Sequence, residues 1–327
     1  MPRHFSKFKF PCLLPFLNLK AALVAVIMFL GICTNPAHAV DLLYATMDNG
    51  SIVTYDISGA TATDVQNSKQ VFVPAGSGFR NGLAFDSSGN LYAGNMNTNV
   101  ISKITPGGSI TPFVTGVNSP YGMKFDSSGN LFVAMYGTNT VDKISPSGSV
   151  SQFASLSSPL DIAIDPTDTL YVSSGSTTSV AKITPSGTLS TFVSYGNTGI
   201  NLPTGITLDS TGNVFVSNRP SGSGQVLKFT PSGTGSVFAT VGQTNPIGVI
   251  IDKQGYLYVT NPSTRTISKY NSNGGLEFSW STGTAPADFA VYFAFQPAIV
   301  PEPSTYALGL IASSVLVVVA RRRVRRA

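Results

Sequence analysis

Apolar and polar residues alternate in short runs along most of this chain, and the runs come in groups of four. Residues 120–154, PYGMKFDSSGNLFVAMYGTNTVDKISPSGSVSQFA, show one group. Within it, 122–125, 130–134, 140–144 and 150–154 alternate with the period of two that marks a half-buried strand. The first turn, Asp126-Ser-Ser-Gly129, sets an Asp that can accept backbone N–H groups beside a Gly able to take a positive φ. The third turn, Ser145-Pro-Ser-Gly148, presets one φ with Pro and again closes on Gly. Both predict tight hairpins between antiparallel strands.

The group repeats. Its strongest landmark, an apolar run ending in Asp before a Ser/Thr/Gly turn, recurs at Asp86, Asp126, Asp165, Asp209 and Asp252, at intervals of 40, 39, 44 and 43 residues. Four strands per period of that length predict propeller blades. Five complete units start near Gly82, Gly122, Asp161, Gly205 and Gly248. Ahead of them, 42–45, 51–57 and 70–73 resemble a second, third and fourth strand with no first. Behind them, Pro286-Ala-Asp-Phe-Ala-Val-Tyr292 matches Pro159-Leu-Asp-Ile-Ala-Ile-Asp165, a first strand with nothing after it. The fold expected is therefore all-β. It is a six-bladed β-propeller over residues 40–296, with four-stranded antiparallel blades, one of them closed by both chain ends.

The recurring Pro, small apolar strand ending in Asp, Gly-Asn-Leu-Tyr/Phe-Val, and Lys-Ile/Phe-Thr/Ser-Pro-Ser-Gly resemble the NHL-type six-bladed propellers over residues 42–295. A WD-type propeller fits less well, because Trp280 is the chain's one Trp and no Trp-Asp pair exists. The resemblance implies the fold and leaves function open, since propellers host binding modules and enzymes alike.

The two ends carry different signals. Residues 1–39 run from Arg3, Lys7 and Lys9 through an apolar stretch at 21–32 to Ala37-His-Ala39, the layout of a secretory signal peptide. At the other end, Pro301-Glu302-Pro303 precedes an apolar run at 306–320 and the cluster Arg321-Arg-Arg-Val-Arg-Arg326. The run is shorter than the roughly 20 residues of a permanent span, and the Arg cluster stays cytoplasmic by the positive-inside rule. Together they resemble a PEP-CTERM sorting tail over 297–327, with a transmembrane segment at 305–320. That resemblance implies processing by an exosortase-type enzyme that reads Pro301, Glu302 and Pro303. It implies membrane attachment through the tail before processing, then a cell-surface or matrix location in a Gram-negative bacterium, with links to biofilm and exopolysaccharide.

Setting the ends aside changes the charge. The formal +5 of the whole chain contains nine basic residues of the leader and tail, and the propeller is near −3. That balance gives no reason to expect nucleic-acid binding. Both cysteines, Cys12 and Cys33, lie in the leader, so no disulfide or thiol chemistry is available to the propeller. So do both histidines, His4 and His38, which excludes Ser-His-Asp triads, Cys-His sites and His-bound zinc within the chain. Among enzymes with related propellers, streptogramin B lyases resemble this repeat but rely on a His. Gluconolactonase-like hydrolases hold a divalent cation with carboxylate and Asn ligands, and acids around the channel are sparse here.

Topology assigns the turns to faces. The first and third turns, nearly identical between blades, open on one face. The second turns and the inter-blade links, which differ from blade to blade, open on the other, as a binding face would. Ends of second strands there carry Met47, Asn95, Met135, Ser174, Asn218 and Asn261. Arg80, Tyr121, Tyr136, Tyr195 and Arg219 add aromatic faces and forked donors suited to sugars or polar polymers. The candidate ligand-binding residues are therefore Arg80, Asn95, Tyr121, Tyr136, Tyr195, Asn218, Arg219 and Asn261. At the start of the inner strands four units have Gly and two have Asp161 and Asp288, expected opposite each other across the channel and too far apart to grip one ion. No cofactor and no catalytic residue is expected. The function expected is a non-catalytic binding or scaffold propeller whose partner is an extracellular polysaccharide or surface protein, with a cation-dependent lactonase-like or lyase-like hydrolase as the competing class.

Overall fold

The computed structural model describes residues 41–79, 81–195, 199–220, 223–242 and 245–296. Residues 1–40, Arg80 and residues 297–327, with Pro301, Glu302 and Pro303, lie outside the described residues.

Six four-stranded antiparallel sheets stand around one axis. The closing blade has the order β24-β1-β2-β3, with β1 (Leu42–Met47), β2 (Ile52–Asp56), β3 (Gln70–Val73) and, from the far end of the chain, β24 (Ala290–Phe295). The other five are sequential from the innermost strand outward. The second blade has β4 (Leu83–Phe85), β5 (Leu91–Asn95), β6 (Val100–Ile104) and β7 (Ile110–Thr115). The third has β8 (Pro120–Phe125), β9 (Leu131–Met135), β10 (Thr140–Ile144) and β11 (Val150–Ser155). The fourth has β12 (Pro159–Ile164), β13 (Leu170–Ser174), β14 (Ser179–Ile183) and β15 (Leu189–Ser194). The fifth has β16 (Ile206–Leu208), β17 (Val214–Asn218), β18 (Gly224–Phe229) and β19 (Gly235–Gly242). The sixth has β20 (Val249–Ile251), β21 (Leu257–Asn261), β22 (Thr266–Tyr270) and β23 (Leu276–Ser281).

The repeat motif is a set of contacts. In the first turn of the third blade, Asp126 Oδ1 accepts from the amides of Ser128 (3.0 Å) and Asn130 (2.7 Å), while Oδ2 accepts from the Asn130 side chain (2.8 Å). Asp86 and Asp209 do the same in their own turns. The Lys of each Lys-Ile/Phe-Thr/Ser-Pro motif, and Lys269 of Lys-Tyr-Asn-Ser at the same place in the sixth blade, lies over the aromatic ring at the second position of the second strand: Lys103 over Tyr92, Lys143 over Phe132, Lys182 over Tyr171, Lys228 over Phe215 and Lys269 over Tyr258, at 5.2–5.7 Å. The same rings meet a Phe of the outer strand edge to face in four of these blades, at 4.8–5.0 Å. Aromatic burial drives the packing, and the cation covers the ring's outer side.

The sequence match of 286–292 with 159–165 is four residues out of register. Phe293 pairs with Ala45, Ala294 with Tyr44 and Phe295 with Leu43, so the strand is Ala290–Phe295. Residues 285–289 form a turn in which Asp288 Oδ2 accepts the Ala285 amide at 3.1 Å. No hairpin joins β24 to β1, so nothing in the local sequence fixes that register. The closing blade also replaces its third turn with residues 57–69, which hold a short helix α1 (Ala62–Asn67) capped reciprocally by Thr61 and Asp64. Gln66 of α1 accepts the Ser281 amide of β23 at 3.1 Å, and Lys69 donates to the Thr282 carbonyl. The helix therefore staples the closing blade to the sixth.

Candidate functional site

Two places could carry chemistry: the axial channel and the variable-loop face. At the channel, register makes Gly82, Gly122, Asp161, Gly205, Gly248 and Tyr292 equivalent. The amides of Asp161, Gly248 and Tyr292 donate to hydroxyls of the neighbouring second strand, those of Ser173 (3.0 Å), Thr260 (2.8 Å) and Thr46 (3.1 Å). Tyr292, not Asp288, thus shares the ring with Asp161, which corrects the expectation of two opposed channel carboxylates. Asp288 sits in the turn before β24, where its Oδ1 accepts from Asn49 Nδ2 at 3.3 Å.

Inner strands approach so closely that four ring positions exclude a side chain. A Cβ on Gly82 would stand 2.6 Å from the Tyr121 carbonyl oxygen, and one on Gly122 would collide with Asp161. The gap is instead bridged by backbone, Gly82 N–H to Tyr121 O at 3.2 Å and Gly205 N–H to Ile247 O at 2.7 Å. Asp161 works as a clamp between blades: Oδ2 accepts the Ile206 amide of the fifth blade (3.0 Å) and Oδ1 the Ile162 amide (2.9 Å). Burial pushes its carboxyl up to about 6, against the pull of Lys124 and the two amides. Burial likewise draws the Lys124 ammonium below its ordinary value and holds the Tyr292 phenol well above. The cavity that these residues line is about 10 Å³, room for a single water at most.

Lys124 was not singled out in the sequence. It occupies the inner-strand position that pairs with the second strand's aromatic ring, where the other blades have Ala84, Ala163, Thr207, Ile250 and Ala294. A charged residue among Ala, Thr and Ile at one repeat position is a signal that aligning the blades reveals.

On the variable-loop face, Tyr121 and Tyr136 come together, with ring centroids 5.1 Å apart and planes tilted by 34°. Tyr121 is half-buried at the start of β8, and Tyr136, just past β9, is 43% exposed. Tyr195, at the end of the next blade's outer strand, is 59% exposed. The three Asn residues are different. Asn95, Asn218 and Asn261 are buried: Asn95 Oδ1 accepts from Asn97 and Thr98 and Asn218 Oδ1 from Asn201, all in loops, while Asn261 Nδ2 donates to Ser268 Oγ of β22. Asn95 and Asn218 thereby brace the loops of this face. Arg219 is half-buried, and its Nε has no partner among the described residues. Arg80 lies outside them.

Two larger cavities open at the regular-turn face. One of about 190 Å³ is lined by Ala84, Phe85, Lys124, Phe125, Ala294 and Phe295. Another of about 260 Å³ sits at the closing seam, lined by Leu42, Ile57, Phe295, Asp41, Asp252 and Lys253 among others. Among the described residues, no group of three His, Cys, Asp or Glu side chains could hold a metal ion.

Against known proteins, residues 59–285 match the virginiamycin B lyase family and residues 300–326 the PEP-CTERM protein-sorting motif. No curated protein matches the chain. A solved streptogramin B lyase is 18% identical, with a TM-score of 0.59 over 76% of this chain and 82% of that one. The catalytically inactive histidine-to-alanine variant of virginiamycin B lyase from Staphylococcus aureus, solved with quinupristin, is also 18% identical, with a TM-score of 0.57 over 79% and 94%. A gluconolactonase from Xanthomonas campestris is 14% identical, with a TM-score of 0.56 over 76% and 88%. At these identities the solved structures establish a shared fold and no more.

Proposed function

Because this chain belongs to the virginiamycin B lyase family while its propeller contains no histidine, we propose that it is an exported binding propeller that catalyses no reaction. The sorting motif at 300–326 implies export and membrane-anchored sorting. The histidine count is the observation that carries the reading. In the related lyase, exchanging one histidine for alanine gives a protein described as catalytically inactive. Here His4 and His38 both precede the propeller, so the side chain lost in that variant has no counterpart. The small size of the cavity beside Asp161, Lys124 and Tyr292, about 10 Å³, supports the same conclusion.

The reading of the ligand class rests on half-buried Tyr121 and exposed Tyr136 on the variable-loop face, whose rings offer apolar faces to sugars. An extracellular polysaccharide fits such a surface, on a cell-surface or matrix protein. Single contacts of this kind contribute on the order of 1 kcal/mol, so affinity is modest and grows with multivalent display. A lactonase-like hydrolase is the second reading, on a fold that the gluconolactonase shares.

The test uses the purified propeller, residues 40–296. Incubated with quinupristin or a sugar lactone, with and without calcium or zinc, it is expected to show no turnover and no metal-dependent thermal shift. Turnover lost on Asp161→Asn would instead establish the hydrolase. On a glycan array and the producer's own exopolysaccharide, Tyr121→Ala with Tyr136→Ala is expected to weaken binding at least tenfold. Undiminished binding would move the site to the two cavities of the regular-turn face.

A further inference from the structure

We infer that the sorting tail holds the propeller with its regular-turn face toward the membrane and its variable-loop face, with Tyr121 and Tyr136, pointing away. The inference rests on the sorting reading of residues 300–326 and adds an orientation to it.

The geometry begins at the last described residue. β24 is the innermost strand of the closing blade, and it ends at Phe295 opposite Leu43, where β1 begins. Gln296 follows, its Oε1 accepting from Tyr44 Oη at 3.3 Å. In the other blades the corresponding inner-strand ends, Phe85, Phe125, Ile164, Leu208 and Ile251, run directly into the Asp turns. The chain therefore leaves on the Asp-turn side, beside the axis. Tyr121 and Tyr136 stand at the opposite ends of the inner and second strands of their blade.

The tether is short. Residues 297–305 separate Gln296 from the apolar run, and a fully extended chain of that length reaches about 35 Å. To turn the other face toward the membrane, the tether would have to cross a blade from inner to outer strand and then climb its side. Three strand spacings plus side chains come to about 15–20 Å, and a six-residue strand with its turns adds about 20–25 Å. The two legs together equal or exceed the whole reach, before any slack for the prolines at 297, 301 and 303. Inversion would stretch the tether to its limit or beyond, while the upright orientation needs no strain.

The propeller's lack of cysteine makes the test direct. In the full-length chain, with the leader's Cys12 and Cys33 changed to Ser, single cysteines are placed at exposed turns on each face. Ser88→Cys and Ser147→Cys mark the regular-turn side, and Asn97→Cys and Thr138→Cys the variable side. Each is coupled to a fluorophore in inner-membrane vesicles from a host without exosortase, and quenching by headgroup-linked nitroxide lipids is read. Unchanged thermal unfolding of each labelled variant confirms the fold. Quenching at Ser88→Cys and Ser147→Cys is expected to exceed that at the other two several-fold. Equal or reversed quenching in membrane-bound protein overturns the orientation and leaves the sorting reading standing. A chain that fails to sediment with the membranes at all overturns both.

Discussion

The closing blade and the five sequential blades solve one packing problem with different means. A sequential blade is held by its own turns: an Asp that accepts two backbone amides, a Pro-Ser-Gly hairpin, and a Lys laid over the second strand's aromatic ring. The closing blade has Thr54 where that Lys belongs, residues 57–69 where the third hairpin belongs, and no covalent link between its first and second strands. It compensates with bulk. At the outer-strand position where other blades have Val73, Val114, Ala154, Val193 and Ala239, the neighbouring sixth blade has Trp280. Its ring packs edge to face on Tyr55 at 5.7 Å and on Tyr258 at 6.3 Å. Where chain connectivity is missing, side-chain volume and the α1 staple supply the cohesion that turns supply elsewhere.

The largest expected effect comes from removing what only the seam has. Deleting residues 286–296 strips the closing blade of its inner strand, and cooperative urea unfolding should collapse into a broad transition. A truncated protein that melts like the parent would show that the seam is dispensable. Trp280→Ala tests the bulk argument in isolation. Truncating a buried Trp costs about 3–5 kcal/mol, whereas Val193→Ala at the equivalent site of the fourth blade removes two methyl groups and should cost about 1–2 kcal/mol. Equal losses in the two variants would mean that the seam depends on Trp280 no more than a sequential blade depends on its valine.

Much of this contrast could be read in the sequence. The five Asp landmarks, the missing first strand at one end and its orphan at the other predict the ring, because turns and alternation are local and repeat. The errors fall where local chemistry is silent. The register of β24 is set by pairing with a strand some 250 residues away, so a chance Pro-x-Asp match prevailed. The helix α1 is too short to show a periodic face, although Thr61 and Asp64 form a visible cap. The burial of Asn95, Asn218 and Asn261 was not legible either, because sequence shows position and not depth. The pairing of Tyr121 with Tyr136, from different strands of one blade, needed the fold before their proximity could be measured.

The ring position itself sharpens the comparison, because Asp161 in the fourth blade titrates in the acid range and Tyr292 in the closing blade does not. Asp161 is buried against Lys124 and Tyr292, and its carboxyl stands at about 6 in the folded chain against 3.8 when unfolded. Between those values the folded state holds the proton more tightly. Its contribution is therefore complete below about pH 4 and is lost as pH rises through 6, a change on the order of 3 kcal/mol. Some carboxyls slope the opposite way, as Asp168, held low by the Ser127 hydroxyl and amide, while Asp142 is raised by burial as Asp161 is. The test is thus a difference: stability from urea unfolding at pH 4 to 7 for the parent and for Asp161→Asn. The gap between the two should shift toward the variant as pH rises, and a gap constant with pH would remove Asp161 from the account.

The smallest effect is expected from an ion pair that crosses the seam, Lys253 Nζ to Asp41 Oδ1 at 3.2 Å. Its position invites the idea that opposite charges draw the chain's two ends into the ring. Exposure argues otherwise, because the Lys253 side chain is 66% exposed and solvent screens such a pair. Exposed pairs contribute about 0–1 kcal/mol. Gln254 Nε2 also reaches Asp41 at 3.4 Å and would retain part of the contact. Lys253→Ala should therefore move the midpoint of thermal unfolding by a degree or two at low salt, with the shift vanishing near 0.5 M salt. A loss comparable to Trp280→Ala, or one that persists at high salt, would mean that charge rather than packing closes the ring.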